Sequence, residues 1–344
     1  ADHLRKVGEL AAAFGERFGA AEWCRLAGQL HDIGKYSSDF QAYLHAVAGP
    51  QAHIENGASP GRGSVNHSTA GALAARDLLG NDVRALAVMF AIAGHHAGLA
   101  NLQTSGSRRA LLDRLTESEL LEAAKSGGFD QTAVALPDSR PTDALAAANR
   151  DEQSRALDIW TRMLFSALVD ADFLDTESFF DVQKPVDRQA YPSIDTLLAK
   201  AEAHMAELTR GARPSPVNAL RTQILEACRE ASAKPPGVFS LTVPTGGGKT
   251  LASLVFGLQH AKQHGCSRLI FAVPFTSIIE QTADVYRGAL GQGAVVEHHG
   301  AVDPRRETAF NRLASENWDA PVIVTTTVQL FESLFANSSS RCRK

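Results

Sequence analysis

From about residue 3 to 205, apolar positions recur at three- and four-residue spacing in LRKVGELAAAF, AGALAARDLLG, VRALAVMFAIAGHH and RALDIWTRMLFSALVDADFL, the period of helices with one buried face. Strand-like alternation is nearly absent there, so an all-α domain is expected. The Gly/Pro-rich stretch at 48–66 reads as a long loop within it, because helical patterning resumes at once. The polar stretch from Thr116 to about Arg150 is only weakly helical. At GARPSPVN, residues 211–218, Pro214 and Pro216 interrupt helix and announce a linker. Beyond it, GVFSLTVPTGGGKTLASLVFGLQHAKQ reads as strand, glycine turn and helix, and SRLIFAVPFTSIIEQTADVYR and APVIVTTTVQLFESLF repeat strand then helix. Three such units predict a doubly wound parallel sheet. The expected organisation is an all-α domain over 1–205, a linker over 206–218 and an α/β domain over 219–344.

With 344 residues and 44% hydrophobic content, the chain can bury two cores of ordinary size. Cys24, Cys228, Cys266 and Cys342 are scattered, with no CxxC pair, and do not suggest a disulfide framework; a cytoplasmic protein is expected. No run approaches the roughly 20 apolar residues that span a bilayer, and no basic segment followed by an apolar run opens the chain, so no membrane partner is expected. The net charge of -4 argues against coating nucleic acid by bulk electrostatics, so any nucleic-acid contact must be local. The first residue is not Met and the last residues, SSSRCRK, carry no closing element, so the sequence reads as a fragment.

Histidine is the informative residue. Of twelve, His3, His31, His45, His67, His95 and His96 lie interleaved with Gly and Asp. His31-Asp32 ends the apolar run LAGQLHDIGK, with Gly34 and Lys35 following. Adjacent side chains on a helix lie about 100° apart, so both reach one cluster only if it sits off the helix side. His95-His96 in AIAGHHAG has the same property, and His67 opens another apolar helix. Asp172 lies in the apolar SALVDADFL, where a carboxylate is costly unless paired or bound to metal. Asp170, about 200° away around the helix, competes with it for that role. Imidazole with carboxylate suits iron, manganese, nickel, cobalt or zinc, and two such ions could hold a scissile phosphate and activate water. His45 and His53 are assigned no role.

The order H, HD, H, HH, D along one helical domain resembles the HD phosphohydrolase superfamily. The fuller wording, LHDIGK with an early His3 and a later GHHAG, resembles the HD nuclease domain of the nuclease-helicase family of type I CRISPR systems. The resemblance implies one divalent transition-metal ion (Fe, Mn, Ni or Co) among His3, His31, Asp32 and Asp172, and a second among Asp32, His67, His95 and His96. It implies that Asp32 and Lys35 are catalytic, with Lys35 facing the phosphate. It favours Asp172 over Asp170, since Ala171-Asp172-Phe173 fits the family's closing motif.

In LTVPTGGGKTLASL, glycines between an apolar segment and a helix supply the context of a phosphate-binding loop. Thr245, Gly246, Gly247, Gly248, Lys249 and Thr250 are its candidate ATP-binding residues, Lys249 reaching the β and γ phosphates and Thr250 holding Mg²⁺. Val243 stands where the motif usually has its first glycine, a wording that resembles superfamily 2 helicases. Pro274, Thr276, Ser277 and Gln281 resemble helicase motif Ia, and Thr325, Thr326, Thr327 and Gln329 a later strand-gripping motif; as residue types they also serve as N-caps. The resemblance thus implies an all-α HD-type domain followed by an incomplete α/β RecA-like helicase domain. The Asp-Glu motif and the second RecA-like domain of such motors are absent from the sequence, so weak nucleotide binding without useful turnover is expected. The family implies single-stranded DNA as substrate and an RNA-guided type I CRISPR surveillance complex as partner, with the full-length protein degrading invader DNA. The rival readings are an HD nucleotidase or cyclic-nucleotide phosphodiesterase, an inactive adaptor, and a helicase with a vestigial HD domain. His298-His299 is assigned no role.

Overall fold

A computed structural model describes residues 2–47, 66–80, 82–104, 109–138, 149–180, 191–299, 315–335, 339 and 343. The loop expected over 48–66 lies, apart from Asn66, outside the described residues. The chain divides into two compact units, residues 1–184 with 333–344, and residues 185–332.

The first unit is helical, with no strand among its described residues: α1 (Asp2–Gly15), α2 (Ala21–Leu30), α3 (Ser38–Val47), α4 (Ser68–Leu79), α5 (Val83–Gly94), the single turn α6 (Leu111–Arg114), α7 (Glu119–Ser126) and the long α8 (Arg150–Phe180). Helix α1 packs on α2 and α8, α4 on α5, and α5 on α8. Their apolar stripes meet in one core that includes Val7, Leu26, Leu30, Leu73, Ile92 and Phe165. Asp82 caps α5 by accepting from Arg84 N, satisfying one of the amides that a helix start leaves bare. Helix α7 lies within the stretch whose sequence pattern was weak, and Leu121 and Ala124 bury it against the core.

The second unit contains α9 (Ile194–Gly211), α10 (Pro216–Ser232), α11 (Lys249–His264), β1 (Leu269–Val273), α12 (Thr276–Leu290), β2 (Val295–His298), β3 (Val322–Thr326) and the part of α13 (Thr327–Phe335) up to Glu332. The strands form a parallel sheet in the order β1-β3-β2. Its core joins Leu254, Leu258, Ile279, Tyr286, Val322 and Val324 with Leu197 of α9 and Leu225 of α10. This is a helical domain followed by a RecA-like α/β domain built on a parallel sheet.

Three details depart from expectation. The stretch 206–218 is mostly helical: α9 runs to Gly211 and α10 starts at Pro216, where a proline fits because the first-turn amide needs no partner. The compact units part at 184/185, ahead of α9, because Leu197 and Ala201 pack into the second core. The expected strand ahead of the glycine loop is not one. Residues 237–244 are irregular, and Val238, Phe239 and Leu241 are exposed, because an apolar segment becomes a strand only where another strand takes up its backbone groups. Conversely, β2 lies in a segment that carried no clear pattern.

Candidate functional site

The ligand-type side chains stand at helix ends. His31 is the C-cap of α2, and Asp32 follows with φ -117° and ψ 17°, so the two side chains leave the helix axis together. His67 is the N-cap of α4 and His95 the C-cap of α5. His3 lies in the first turn of α1 and Asp172 on α8. Gly34 permits the junction between these elements: a Cβ built there would lie 2.2 Å from the His67 carbonyl oxygen, so only glycine lets the turn after Asp32 approach the start of α4.

Two overlapping groups result. In one, an atom each from His3, His31, Asp32 and Asp172 lies within 4.8 Å of all the others; in the second, the same holds for Asp32, His67, His95 and His96. Asp32 belongs to both. Its Oδ2 lies 3.7 Å from His3 Nε2 and 3.3 Å from His31 Nε2, while its Oδ1 lies 3.4 Å from His67 Nε2 and 3.3 Å from His95 Nε2. Asp172 Oδ1 completes the first group at 3.3 Å from His3 Nε2 and 3.6 Å from His31 Nε2. Lys35 Nζ stands 2.5 Å from Asp32 Oδ2.

The residues fit divalent cations on two observations. His3 Nε2, His31 Nε2, His95 Nε2, Asp32 Oδ1 and Asp172 Oδ1 are buried without a hydrogen-bond partner, although buried polar atoms are normally satisfied. The other ring nitrogens are fixed. His31 Nδ1–H donates to the Gly28 carbonyl at 2.7 Å, His95 Nδ1–H to that of Ile92 at 2.6 Å, and His3 Nδ1–H to Asp175 Oδ2 at 2.7 Å. That leaves each Nε2 lone pair facing inward, the orientation that outer partners impose on metal-binding histidines.

Electrostatics points the same way. Burial opposes the charged forms of His3 and His31, but Asp172 and Asp32 outweigh it and lift both pKa values to about 10. Burial likewise opposes ionised Asp32 and Asp172, yet His31 and Lys35 beside the first, and His3 and His31 beside the second, hold both well below the usual carboxylate range. Such a concentration of negative charge draws cations, and a metal ion competes with protons for the same atoms.

Asp170, the alternative to Asp172, is outside both groups: its Oδ1 accepts from Arg343 Nε at 2.9 Å. Two residues that sequence reasoning did not single out bear on the site. Asp175, one turn beyond Asp172, orients His3, and its only sequence signal is the three-residue spacing on one helix face. Arg114 bonds the ends of α4 and α5.

In the second unit, Thr245 to Gly248 form the turn that enters α11 at Lys249, with Thr250 in the first helical turn. Gly246 and Gly248 adopt φ of 85° and 82°, a conformation that side chains rarely tolerate. Lys249 and Thr250 thus lie at a helix N-terminus suited to phosphate. Arg221 of α10, also not singled out, donates from Nε to the Gly246 carbonyl at 2.9 Å. The Thr-rich motif behaves differently from expectation. Thr325 is fully buried and donates its hydroxyl to the His298 carbonyl, and Thr326 Oγ1 accepts from Gln329 N as a helix cap. In these two threonines the capping and packing roles account for the hydroxyls.

Residues 2–171 match the family described as Cas3, HD domain, and residues 223–344 match DEAD/DEAH box helicase. The CRISPR-associated nuclease/helicase Cas3 of Haloferax volcanii is 27% identical over 388 residues, covering 91% of this chain and 40% of the relative. Among solved structures, T. fusca Cas3 with ATP superposes with a TM-score of 0.54 at 16% identity, covering 96% of this chain and 42% of that one. The ADP form gives 0.51 at 18% identity, covering 94% and 41%. The chain spans about two-fifths of the length of these relatives. No helix among the described residues is long and apolar enough to cross a membrane.

Proposed function

We propose that this chain, in which a match to the Cas3 HD domain is followed by a match to the DEAD/DEAH box helicase, carries the metal-dependent DNA-cleaving site and the first ATP-binding half of a motor that degrades single-stranded DNA in type I CRISPR interference. The observation that carries this reading is the sharing of Asp32 between two four-residue groups, one per carboxylate oxygen. His3, His31, Asp32 and Asp172 would hold one divalent transition-metal ion, and Asp32, His67, His95 and His96 the other. Two adjacent cations supply Lewis-acid activation of water and charge neutralisation at a scissile phosphate. Nδ1 contacts to Gly28, Ile92 and Asp175 keep the imidazoles oriented. Lys35, beside Asp32 and partly open to solvent, would meet an anionic substrate.

The glycine loop would take the phosphates of ATP, with Lys249 on the β and γ groups and Thr250 on Mg²⁺. Likeness to a CRISPR-associated nuclease/helicase fits a chain recruited by an RNA-guided surveillance complex and acting in the cytoplasm.

The test is cleavage of single-stranded circular DNA by the purified chain with Mn²⁺, Co²⁺ or Ni²⁺ and no ATP, beside Asp32→Ala. Cutting by the wild type alone is expected. Hydrolysis of nucleotides or cyclic dinucleotides, with DNA left intact, would replace this reading by a nucleotidase.

A further inference from the structure

The stretch around residue 114 showed no function in the sequence, yet it supplies a charged side chain that bonds two helix ends at the site. Arg114 ends the short α6 and is partly buried. Its Nη1 donates to the Ala93 carbonyl at 2.6 Å, Nη2 to Ser68 Oγ at 2.7 Å and Nε to Thr69 Oγ1 at 3.1 Å. Ser68 and Thr69 are the first two residues of α4, directly after His67. Ala93 lies two residues before His95 on α5.

One planar fork therefore spans the N-terminus of α4 and the C-terminal turn of α5. The bond to Ala93 is electrostatically favourable, because a cation there meets the carbonyl end of a helix; the bonds at α4 bring positive charge to an amide end, which the helix dipole disfavours. A charge kept against that opposition, and bonded only through hydroxyls there, points to a geometric role. Asn66 reinforces it: its Nδ2 donates to Thr69 Oγ1 at 2.8 Å and to Glu117 Oε2 at 3.3 Å, and its Oδ1 accepts from Thr69 N at 3.3 Å. The Thr69 hydroxyl is thus held from both sides, by Asn66 and by Arg114.

The pattern is selective. His67, His95 and His96 stand at the two helix ends that Arg114 joins, whereas His3, His31 and Asp172 come from α1, α2 and α8, to which it makes no hydrogen bond. We propose that Arg114 is the positioning residue of the second ligand group: it touches none of the imidazoles but sets the separation of α4 and α5 that brings His67, His95 and His96 to Asp32 Oδ1. Lysine cannot replace it, since an ammonium lacks the rigid fork that reaches three acceptors at once. The inference rests on the two-ion reading above.

The experiment measures Mn²⁺ binding to the full chain by calorimetry and electron paramagnetic resonance for wild type, Arg114→Lys and Arg114→Met. Wild type should bind two ions and give the multiline spectrum of a coupled pair. In both variants the first ion should bind within about twofold of wild type, while the second weakens about 10–100-fold, as when an outer partner of a ligand is lost, and the spectrum becomes that of an isolated ion. The retained ion shows that the domain is folded. Two ions at wild-type affinity in Arg114→Met, or loss of both ions together in Arg114→Lys, overturns the proposal. Fewer than two ions in the wild type overturns the two-ion reading itself.

Discussion

A carboxylate buried among four imidazoles is costly unless something cationic meets it, and Asp32, 2% exposed, faces His3 and His31 with one oxygen and His67 and His95 with the other. Asp172 shares the first half of that arrangement, while Asp170, two residues away, is engaged with Arg343, whose guanidinium also lies 4.6 Å from the Phe173 ring centre. The two aspartates should therefore separate cleanly. Asp172→Asn is expected to remove the first ion and lower DNA cleavage by at least about 10³-fold, several kcal/mol of lost transition-state stabilisation. Asp170→Asn should retain both ions and lose less than about tenfold, since its carboxylate belongs to neither ligand group and is engaged by Arg343. Single-turnover cleavage alongside ion counting decides between them; equal losses would make Asp170 a ligand after all.

At the scale of elements, the site is an assembly of helix ends, and what governs it is how closely those ends approach. One such close approach is at Gly34, where an added methyl would sit 2.2 Å from one backbone atom of His67 and 2.6 Å from another. Backbone atoms cannot swing aside as a side chain would. Gly34→Ala is expected to destabilise the domain by ~1–3 kcal/mol, the usual cost of overpacking. Because the displaced element is the start of α4, the second ion should weaken more than the first. Thermal unfolding and Mn²⁺ titration of the variant test both effects. The same element-level logic explains the segment at 237–244: Leu241 and Val243 have strand-type apolar spacing, but among the described residues no ladder takes up their backbone, and the segment stays irregular. It also explains Thr325, whose place in β3 buries its hydroxyl against the end of β2.

For the whole molecule, two chemistries are carried on two units: a buried cluster of imidazoles and carboxylates in the first, and a glycine loop at a helix N-terminus in the second. No residue belongs to both. Lys249→Ala is therefore expected to abolish nucleotide binding while leaving Mn²⁺ stoichiometry and cleavage of single-stranded circles within about twofold of wild type. Nucleotide binding is read by fluorescence of a labelled ATP analogue and cleavage on gels. A parallel collapse of cleavage would mean that the nuclease needs an occupied phosphate loop.

Residues of the candidate site were legible in the sequence where they are also neighbours along it. His31-Asp32, His95-His96 and the glycine loop stand at helix ends, where consecutive side chains diverge from the axis toward one point, so a short motif already holds half the geometry. Helical periodicity and the alternation of apolar runs with helices likewise specified an all-α domain followed by an α/β domain, since burying one face imposes its own period on the chain. Tertiary structure alone decided the rest. Asp175 reaches His3 across 172 residues, and Arg114 reaches Thr69 across 45, contacts that no local pattern encodes. Helical periodicity puts Asp170 and Asp172 on different faces, but which neighbour each face meets is decided in space. Whether an apolar segment becomes a strand, and whether a threonine is offered to solvent or used as a cap, depends on what packs beside it, because backbone and hydroxyl groups take their partners from space rather than from the order of residues.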